Sequence, residues 1–458
     1  MCKHRGGSCA DYSPNSLPSG VIGWLRYRKH PFPRGLRQAM TGTRQIRAKM
    51  SSREWLIVAL LVVSAVINYV DRSNLSMAMP QIEQRFALSP LHIASLLGAF
   101  FWTYALLQLF GIVGWLSDRF QPGWVLFYGY LLWTLVTGLT GLATSFTAIF
   151  LLRLLLGLGE SVAYPCYSRI FAGMPQQYRG RANAAIDAGT KMGPAAGVFV
   201  AGLILSHLGW RMLFIIFGAG GMLWLLPWAR VMPQVEQHNG QALAQDFLEA
   251  RHSMVKILRH RSAWGTFIGH FCGNYFYYFL LAWLPRYLVQ EEHLSVELMS
   301  NVTSGLFFLI GCSTLLSGWI SDRLVARGVS ATIARRGVAA GGLAVASCLV
   351  FSSLLSGSQV ASLALLAFCS IGYGAFSSNH WAITQTLAGP AMAGRWSSLQ
   401  NGIANFSGIF APWVAGLVLS RQGSSRLAFS IAGAIALMGA LAWGLLVWRV
   451  EPINWEQS

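Results

Sequence analysis

The chain has 458 residues, of which 54% are hydrophobic and only 11% charged, with a net charge of +18; an ordinary soluble domain has about 25% charged residues. Stretches such as Trp55 to Val70 and Ala263 to Val289 carry almost no charge and approach or exceed the roughly 20 apolar residues of a membrane-spanning helix. The composition excludes a soluble enzyme, a secreted disulfide-rich domain and a disordered chain, and the lack of alternating polarity excludes a transmembrane β-barrel.

Half of the positive charge lies ahead of the first apolar segment. Residues 1–54 contain eleven Lys or Arg and two acidic residues, a balance of +9. Because basic residues beside a membrane span stay in the cytosol, this segment is predicted to be a disordered cytosolic tail. Its Arg-rich, acid-poor composition is also typical of an organelle transit peptide. We favour the hypothesis that Met50 is the true start, and N-terminal sequencing that finds upstream residues in the purified chain would contradict it.

Twelve apolar segments bounded by charges or turn residues follow in chain order. They span 55–78, 91–116, 123–143, 146–170, 182–206, 211–231, 263–289, 298–320, 336–356, 359–387, 396–420 and 427–449. This pattern predicts an all-α polytopic membrane protein. Its expected parts are six-helix bundles at 55–231 and 263–450, a cytoplasmic linker at 232–262 and a cytosolic tail at 451–458.

The arginines in the loops predict the orientation. Arg119 lies in the second-to-third connection, three arginines lie in the fourth-to-fifth and four in the eighth-to-ninth, whereas the third-to-fourth and ninth-to-tenth connections have none. Arginines in short loops stay in the cytosol, so both termini are predicted to be cytoplasmic. The residues that oppose this trend are too few to reverse it: Arg85, Arg211, Arg286, Arg421 and Arg426.

The two halves carry the traces of a duplication. The motif GWLSDR at 114–119 recurs as GWISDR at 318–323, an offset of 204, and each copy ends the second helix of its half. The pair Gly180-Arg181 recurs as Gly394-Arg395 at an offset of 214, which matches the fifth helix with the eleventh. Two parallel six-helix repeats that hold a substrate between them are typical of major facilitator transporters.

Four further motifs carry a closer resemblance. They are NYVDR at 68–72, YALLQ at 104–108, RLLLGLGE at 153–160 and NGIANFSG at 401–408, the last followed by Pro412. With these motifs in order on the expected helices, the chain resembles the anion:cation symporter family of the major facilitator superfamily. That family includes bacterial galactonate, hexuronate and glucarate importers.

The resemblance implies two pseudo-symmetric bundles that work by alternating access in a bacterial inner membrane. It implies a proton-responsive pair, Asp71 and Glu160, and places Asp118, Arg119, Asp322 and Arg323 at the gate. The predicted substrate-binding residues are Tyr69, Arg72, Tyr104, Gln108, Arg153, Lys191, Asn274, Tyr278, Ser378, Trp381, Asn401 and Asn405.

Charges inside the predicted bundles gather in the N-terminal half. The six are Asp71, Arg72, Arg153, Glu160, Asp187 and Lys191. Each costs about 2.5 to 3.5 kcal/mol at the bilayer centre, so each requires a partner or a function. With every acid ionised the set is neutral, and protonation of Asp71 and Glu160 makes it +2, which favours an anion in the cavity and couples its entry to that of protons. The structural alternative is that these residues form ion pairs that only hold helices together.

The C-terminal half offers neutral polar groups instead. At the offset of 214, Asn401 matches Asp187 and Asn405 matches Lys191. A charged face opposite a hydroxyl- and amide-rich face suits a substrate with an anionic end and a polyol end. Sugar acids, namely hexonates, hexuronates and aldarates, are the simplest candidates.

Other features are assigned to packing. The glycines and proline at Gly189, Gly193, Pro194 and Gly197 are expected to let helices approach closely. His270 and His380 are interpreted as two separate packing residues. The seven cysteines form no CxxC pair, so neither a disulfide framework nor a metal site is indicated.

Proton-coupled import of an organic anion is the favoured function, with the lipid bilayer, protons and the anion as partners. We expect a monomer with no cofactor, no bound metal and no nucleic-acid partner. The alternatives are an exchanger or exporter of organophosphates or drugs, and a transporter-like sensor that moves nothing. An enzyme is least favoured because no nucleophile and base pair stands out.

Overall fold

The computed structural model describes residues 50–172, 174, 176–232, 255–355 and 358–455. The predicted tail at 1–49 and most of the predicted linker, 233–254, lie outside the described residues, as does the side chain of Asp118. The described residues are almost entirely helical and include no strand. The predicted all-α membrane fold is confirmed.

The helices are numbered α1 to α12 by predicted membrane span, and four of the spans consist of more than one segment. They are α1 Ser52–Phe86; α2 Pro90–Leu109 and Ile112–Arg119; α3 Pro122–Thr140; α4 Phe146–Ser161 and Ala163–Ala172; α5 Gln176–His207; α6 Gly209–Val231; α7 Arg261–Gln290; α8 Val296–Ala326; α9 Thr332–Arg336, Gly337–Ala346 and Ser347–Leu355; α10 Gln359–Gly389; α11 Arg395–Gln422; and α12 Arg426–Leu441 and Ala442–Leu446. Eleven spans among the described residues are long and apolar enough to cross a membrane. Helix α7 is long enough but more polar, since it contains His270, Asn274 and several tyrosines.

Helix α1 is longer than predicted at both ends. It begins at Ser52 because Ser51 forms a capping box: the Ser51 hydroxyl accepts from the Glu54 amide at 3.2 Å, and the Glu54 carboxylate accepts from the Ser51 amide at 2.7 Å. It continues through Pro80 to Phe86 and ends where Ala87 adopts a left-handed conformation. The extension places Glu83 on the last turn of a helix that was expected to end at residue 78.

The two halves repeat one packing scheme. In the N-terminal half α1 packs on α5, α2 on α4 and α3 on α6; in the C-terminal half α7 packs on α11, α8 on α10 and α9 on α12. The halves meet through α1 with α7, α2 with α11 and α5 with α8. Exchanging the halves turns the α2–α11 contact into the α8–α5 contact, so the interface keeps the symmetry of the duplication.

Glycines permit the closest approaches at this interface. A Cβ atom on Gly202 of α5 would lie 2.2 Å from the Cβ of Ser300 on α8. At the matching position in α11, a Cβ on Gly416 would lie 2.6 Å from the Cβ of Ala94 on α2. Gly193 approaches the α1 backbone, and a Cβ there would lie 2.9 Å from the Val66 carbonyl oxygen. These contacts support the packing role predicted for the small residues of α5.

Two of the arginines that oppose the orientation trend have structural roles. Arg286 is 8% exposed inside α7 and pairs with Glu83. Arg211 donates from Nη1 to the Gly141 carbonyl oxygen at 3.0 Å and lies over the Trp210 ring. Both side chains lie on helices and are bound to other protein groups. The rule that predicts orientation from arginines in loops therefore does not apply to them.

Candidate functional site

A buried charged cluster joins α1 to α4 in the N-terminal half. The Arg72 Nε atom donates to the Glu160 carboxylate at 3.1 Å, with Arg72 5% exposed and Glu160 fully buried. Arg153 and Glu160 lie seven residues apart on α4, about two helical turns, so they share a face of that helix and could pair with each other. The ion pair instead forms between helices, because the long Arg72 side chain reaches α4 from α1.

Three aromatic rings surround the Arg72 guanidinium. Its carbon lies 4.7 Å from the Tyr69 ring centroid, 4.9 Å from that of Phe100 and 4.6 Å from that of Tyr104. Cation–π attraction and the Glu160 carboxylate together hold the charge in one orientation. Two predicted binding residues, Tyr69 and Tyr104, therefore contact a third, Arg72, and Phe100 completes the cage without having been predicted.

Asp71 is buried in the N-terminal half. Its carboxylate accepts from the Asn74 side chain at 2.9 Å, and it lies within electrostatic range of Arg153 and Glu160. Arg153 is buried, with its guanidinium 5.6 Å from the Phe100 ring centroid. The two acids and two arginines thus form one electrostatic cluster, in which Glu160 interacts with both arginines and Asp71 interacts with Arg153 and Glu160.

The C-terminal half contributes amides and hydroxyls at the same depth. The Tyr278 hydroxyl donates to Oδ1 of the Asn405 side chain at 2.8 Å, and the Tyr278 ring lies 4.5 Å from that of Phe101 on α2. Asn401 donates to Gln108 at 3.3 Å, a hydrogen bond between α11 and α2. Predicted residues from both halves therefore meet across the interface.

The remaining predicted binding residues are half-buried on three helices. Lys191 is half-buried on α5, with its ammonium 5.9 Å from the Tyr277 ring centroid on α7. Asn274, Ser378 and Trp381 are half-buried on α7 and α10. The Ser378 hydroxyl donates to the Ala375 carbonyl oxygen at 2.8 Å and accepts from the Asn379 amide at 2.7 Å.

The halves are in close contact at the end of the bundle where α1 and α7 end. There Arg286 donates from Nε and Nη2 to the two carboxylate oxygens of Glu83 at 2.9 and 2.8 Å, and Gln290 donates to the same carboxylate at 2.7 Å. A cavity of about 20 Å³ between this contact and the charged cluster, lined by Arg72, Arg153 and Tyr278 among others, has room for about one water molecule. Asp187 on α5 is exposed.

The expectation that His270 and His380 lie separately is wrong, whereas their assignment to packing rather than proton transfer stays a prediction. Their ring centroids lie 4.5 Å apart, and each ring packs against Trp381, at 5.0 and 4.9 Å. His270 also contacts the Gln400 amide at 3.2 Å, and Gln400 accepts from Thr384 at 2.7 Å. The two histidine rings that contact Trp381 are thus part of a buried hydrogen-bonded network with Gln400 and Thr384. No sequence signal pairs histidines on α7 and α10, since only tertiary packing brings them together.

Three predicted gating residues have described side chains. Asp322 pairs with Arg335 at 3.0 Å, and the Arg323 guanidinium lies 3.9 Å from the Trp319 ring centroid. Arg119 is exposed at the end of α2. These contacts stay within one half, and the gating role of these residues stays a prediction.

Residues 61–412 of the chain match the sequence pattern of the protein family described as the Major Facilitator Superfamily. The chain is 28% identical over 428 residues to a D-galactonate transporter of Escherichia coli O6:H1, an alignment that covers 89% of the chain and 98% of that protein. It is 30% identical over 414 residues to a chloroplastic ascorbate transporter of Arabidopsis thaliana, covering 86% and 74%. A probable galactarate/D-glucarate transporter of Bacillus subtilis is 28% identical over 434 residues, covering 88% and 94%.

Solved structures agree on the fold. A bacterial homologue of the human lysosomal transporter Spinster superposes with a TM-score of 0.70 at 17% identity, covering 87% of this chain and 95% of the other. A D-xylose-proton symporter superposes with a TM-score of 0.69 at 15% identity, covering 87% and 99%. The resemblance to sugar-acid transporters is confirmed by the relatives, and the two-bundle fold by these structures.

Proposed function

This chain belongs to the Major Facilitator Superfamily, and we propose that it carries a sugar acid across a bacterial inner membrane together with protons. It is a multi-pass membrane protein whose relatives are named as sugar-acid and anion transporters. Galactonate and galactarate or glucarate, which appear in those names, are the first substrates to test.

The buried Arg72–Glu160 ion pair is the observation that carries this proposal. While Glu160 is ionised, its carboxylate occupies the guanidinium that a substrate carboxylate requires. Protonation of Glu160 removes that competitor and leaves a positive charge that is costly to bury unpaired. An incoming carboxylate restores the balance, so proton and anion each lower the cost of binding the other. Asp71 lies in the same cluster and adds a second protonation site.

The opposite wall supports the choice of a polyhydroxylated anion. Asn274, Asn401 and Asn405 offer amide donors and acceptors, and Trp381 offers an aromatic face for the apolar side of a sugar. Lys191, half-buried between the walls, offers a cation that a carboxylate meets before it reaches the buried Arg72.

We further propose that transport proceeds by alternating access with both termini in the cytoplasm. In that orientation the end closed by Glu83 and Arg286 faces the periplasm, and the site opens toward the cytoplasm. Opening of the closed end requires that this ion pair break and that the interface glycines separate. Movement of one bundle against the other is the form of change that a two-bundle interface permits.

Uptake by the full chain in proteoliposomes tests the proposal. Labelled galactonate, galactarate and glucarate are supplied outside, with and without an imposed pH gradient. We expect a gradient to drive accumulation of at least one of them, and collapse of the gradient to abolish it. Glu160→Gln should lose gradient-driven accumulation yet keep counterflow exchange, because Arg72 remains available to the anion. Glu297→Gln, on the exposed first turn of α8, is the matched control and should behave as the parent.

Two results would reject the proposal. Accumulation that is unchanged in Glu160→Gln would remove the coupling role of the ion pair. Counterflow without any response to a pH gradient, with a preference for phosphorylated sugars, would instead identify an organophosphate exchanger.

A further inference from the structure

A second cavity lies on the outer side of the C-terminal bundle, away from the site between the halves. It has a volume of about 440 Å³ and is formed where α9 begins and α12 ends. Its lining residues are Ser330, Thr332, Ile333, Arg336, Gly444, Trp448, Arg449 and Glu451. The residues assigned above to transport do not line it, so its chemistry requires a separate explanation.

Two arginines give the cavity a positive charge. Arg336 is half-buried and donates from Nη1 to the Val447 and Trp448 carbonyl oxygens at 3.0 and 2.8 Å, which fixes its guanidinium at the cavity wall. Arg449 is exposed and makes no ion pair with any described residue. The neighbouring Arg335 is occupied by Asp322. The positive charge of the cavity therefore comes from Arg336 and Arg449.

Two hydroxyls complete a set of donors suited to a phosphate group. The Ser330 oxygen accepts from the Ile333 amide at 3.3 Å, and the Thr332 oxygen accepts from the Val450 amide at 2.9 Å. Because each oxygen serves as an acceptor in these bonds, each O–H remains a donor. Guanidinium forks and hydroxyl donors are the groups that recognise phosphate oxygens.

The surroundings indicate that the phosphate is carried by a lipid. Ile333 is 68% exposed and Trp448 66% exposed at the cavity, and Leu445 is 60% exposed one turn before Trp448. Tryptophan beside exposed aliphatic residues at the end of a membrane helix is typical of the membrane–water interface. Basic cavities between the ends of membrane helices suit the headgroups of anionic lipids.

The backbone is irregular on both sides of the cavity. Thr332–Arg336 and Ala442–Leu446 are both π-helical, and each contributes lining residues. A π-helical segment widens a helix at the expense of regular hydrogen bonding and is frequently found at functional sites. Two such segments facing one cavity are consistent with a binding site.

We propose that this cavity binds the phosphate group of an anionic phospholipid. The chain that follows α12 links this site to the rest of the bundle: Ile453 donates to the Leu387 carbonyl oxygen at 3.0 Å, and Trp455 donates to that of Ala388 at 2.9 Å. Both acceptors lie beside Gly389, whose φ of 65° marks the kink between α10 and α11. A bound lipid therefore stabilises the segment that connects α12 to this kink.

Thermal unfolding of the detergent-solubilised full chain tests the proposal. The probes are phosphatidylglycerol, phosphatidylcholine of the same acyl length, and inorganic phosphate alone. We expect phosphatidylglycerol to raise the Tm saturably, and the other two to leave it unchanged over the same concentration range. Arg449→Gln should raise the half-saturating phosphatidylglycerol concentration about fivefold, the effect of one basic residue near an anionic surface.

Two control variants separate a site from general electrostatics. Arg327→Gln removes an exposed arginine from the connection between α8 and α9, outside the cavity lining, and should bind as the parent does. Glu451→Gln removes the acid at the cavity and should lower the half-saturating concentration. Equal losses in Arg327→Gln and Arg449→Gln would overturn the proposal. Arg449-dependent stabilisation by inorganic phosphate alone would overturn the lipid assignment.

Discussion

The two halves of the molecule share a packing scheme and differ in the chemistry of their inner faces. Helix pairs, interface glycines and the motif at the end of the second helix all recur. By contrast, the N-terminal half buries two acids and two arginines between its helices. It also has Asp187 and Lys191 on α5, where the matching positions of α11 are the neutral residues Asn401 and Asn405. In the proposed mechanism the duplicated packing allows one half to move against the other. The difference in chemistry then assigns charge recognition to the N-terminal half and polyol recognition to the C-terminal half.

The largest effect is expected from Arg72→Ala in the charged half. It leaves Glu160 buried without its partner, and breaking a buried pair in this way costs about 3 to 5 kcal/mol. Thermal stability should fall sharply, and uptake should be lost. The double variant Arg72→Ala with Glu160→Gln removes the unpaired charge and should recover much of the stability but none of the uptake. Equal stability in the single and double variants would contradict the ion pair.

Glu83→Gln tests the charged contact between the halves. It removes the charge from an ion pair that is joined by two hydrogen bonds. The conformation in which this end is closed should lose about 1.5 to 3 kcal/mol of stabilisation. The population with that end open should rise. Position 76 lines the narrow cavity, so a cysteine introduced by Ser76→Cys reports how open that end is. We expect a membrane-impermeant thiol reagent, added from the Glu83 side, to label Ser76→Cys with Glu83→Gln faster than Ser76→Cys alone, which is the control. Unchanged labelling would show that the pair does not hold the end closed.

Gly202→Ala and Gly416→Ala test whether the duplicated interface is energetically equivalent. Each added Cβ meets a neighbouring Cβ closer than any van der Waals contact, so each should disfavour the closed end by about 1 to 3 kcal/mol. The same labelling assay should report similar increases for both. Adding Ser300→Gly to Gly202→Ala restores the space and should return labelling toward the parent. An effect confined to one of the two glycines would contradict an equivalent interface.

Tyr278→Phe in the neutral half should have the smallest effect. It removes the hydrogen bond to Asn405 while it keeps the ring against Phe101, a loss of about 0.5 to 1.5 kcal/mol. The KM for the sugar acid should rise severalfold, and the response to a pH gradient should stay as in the parent, because no charge changes. A lost pH response would show that coupling is not confined to the N-terminal half.

Much of this organisation is already present in local patterns. Hydropathy indicates the spans because a membrane helix needs a long apolar run, and the repeated GWLSDR and GWISDR motifs indicate the two halves. The end of α1 was misjudged because the apolar run stops before Pro80 and Glu83, whereas the helix continues through both residues to Phe86.

Composition and spacing along single helices are enough to indicate the membrane class, the two halves and the charged residues within the predicted spans. Which of these charges meet depends on how the helices pack. Arg72 pairs with Glu160, Arg286 with Glu83, and His270 lies beside His380. The physical reason is that partners 88 and 203 residues apart meet through the packing of different helices, and no periodicity within a single helix records that contact.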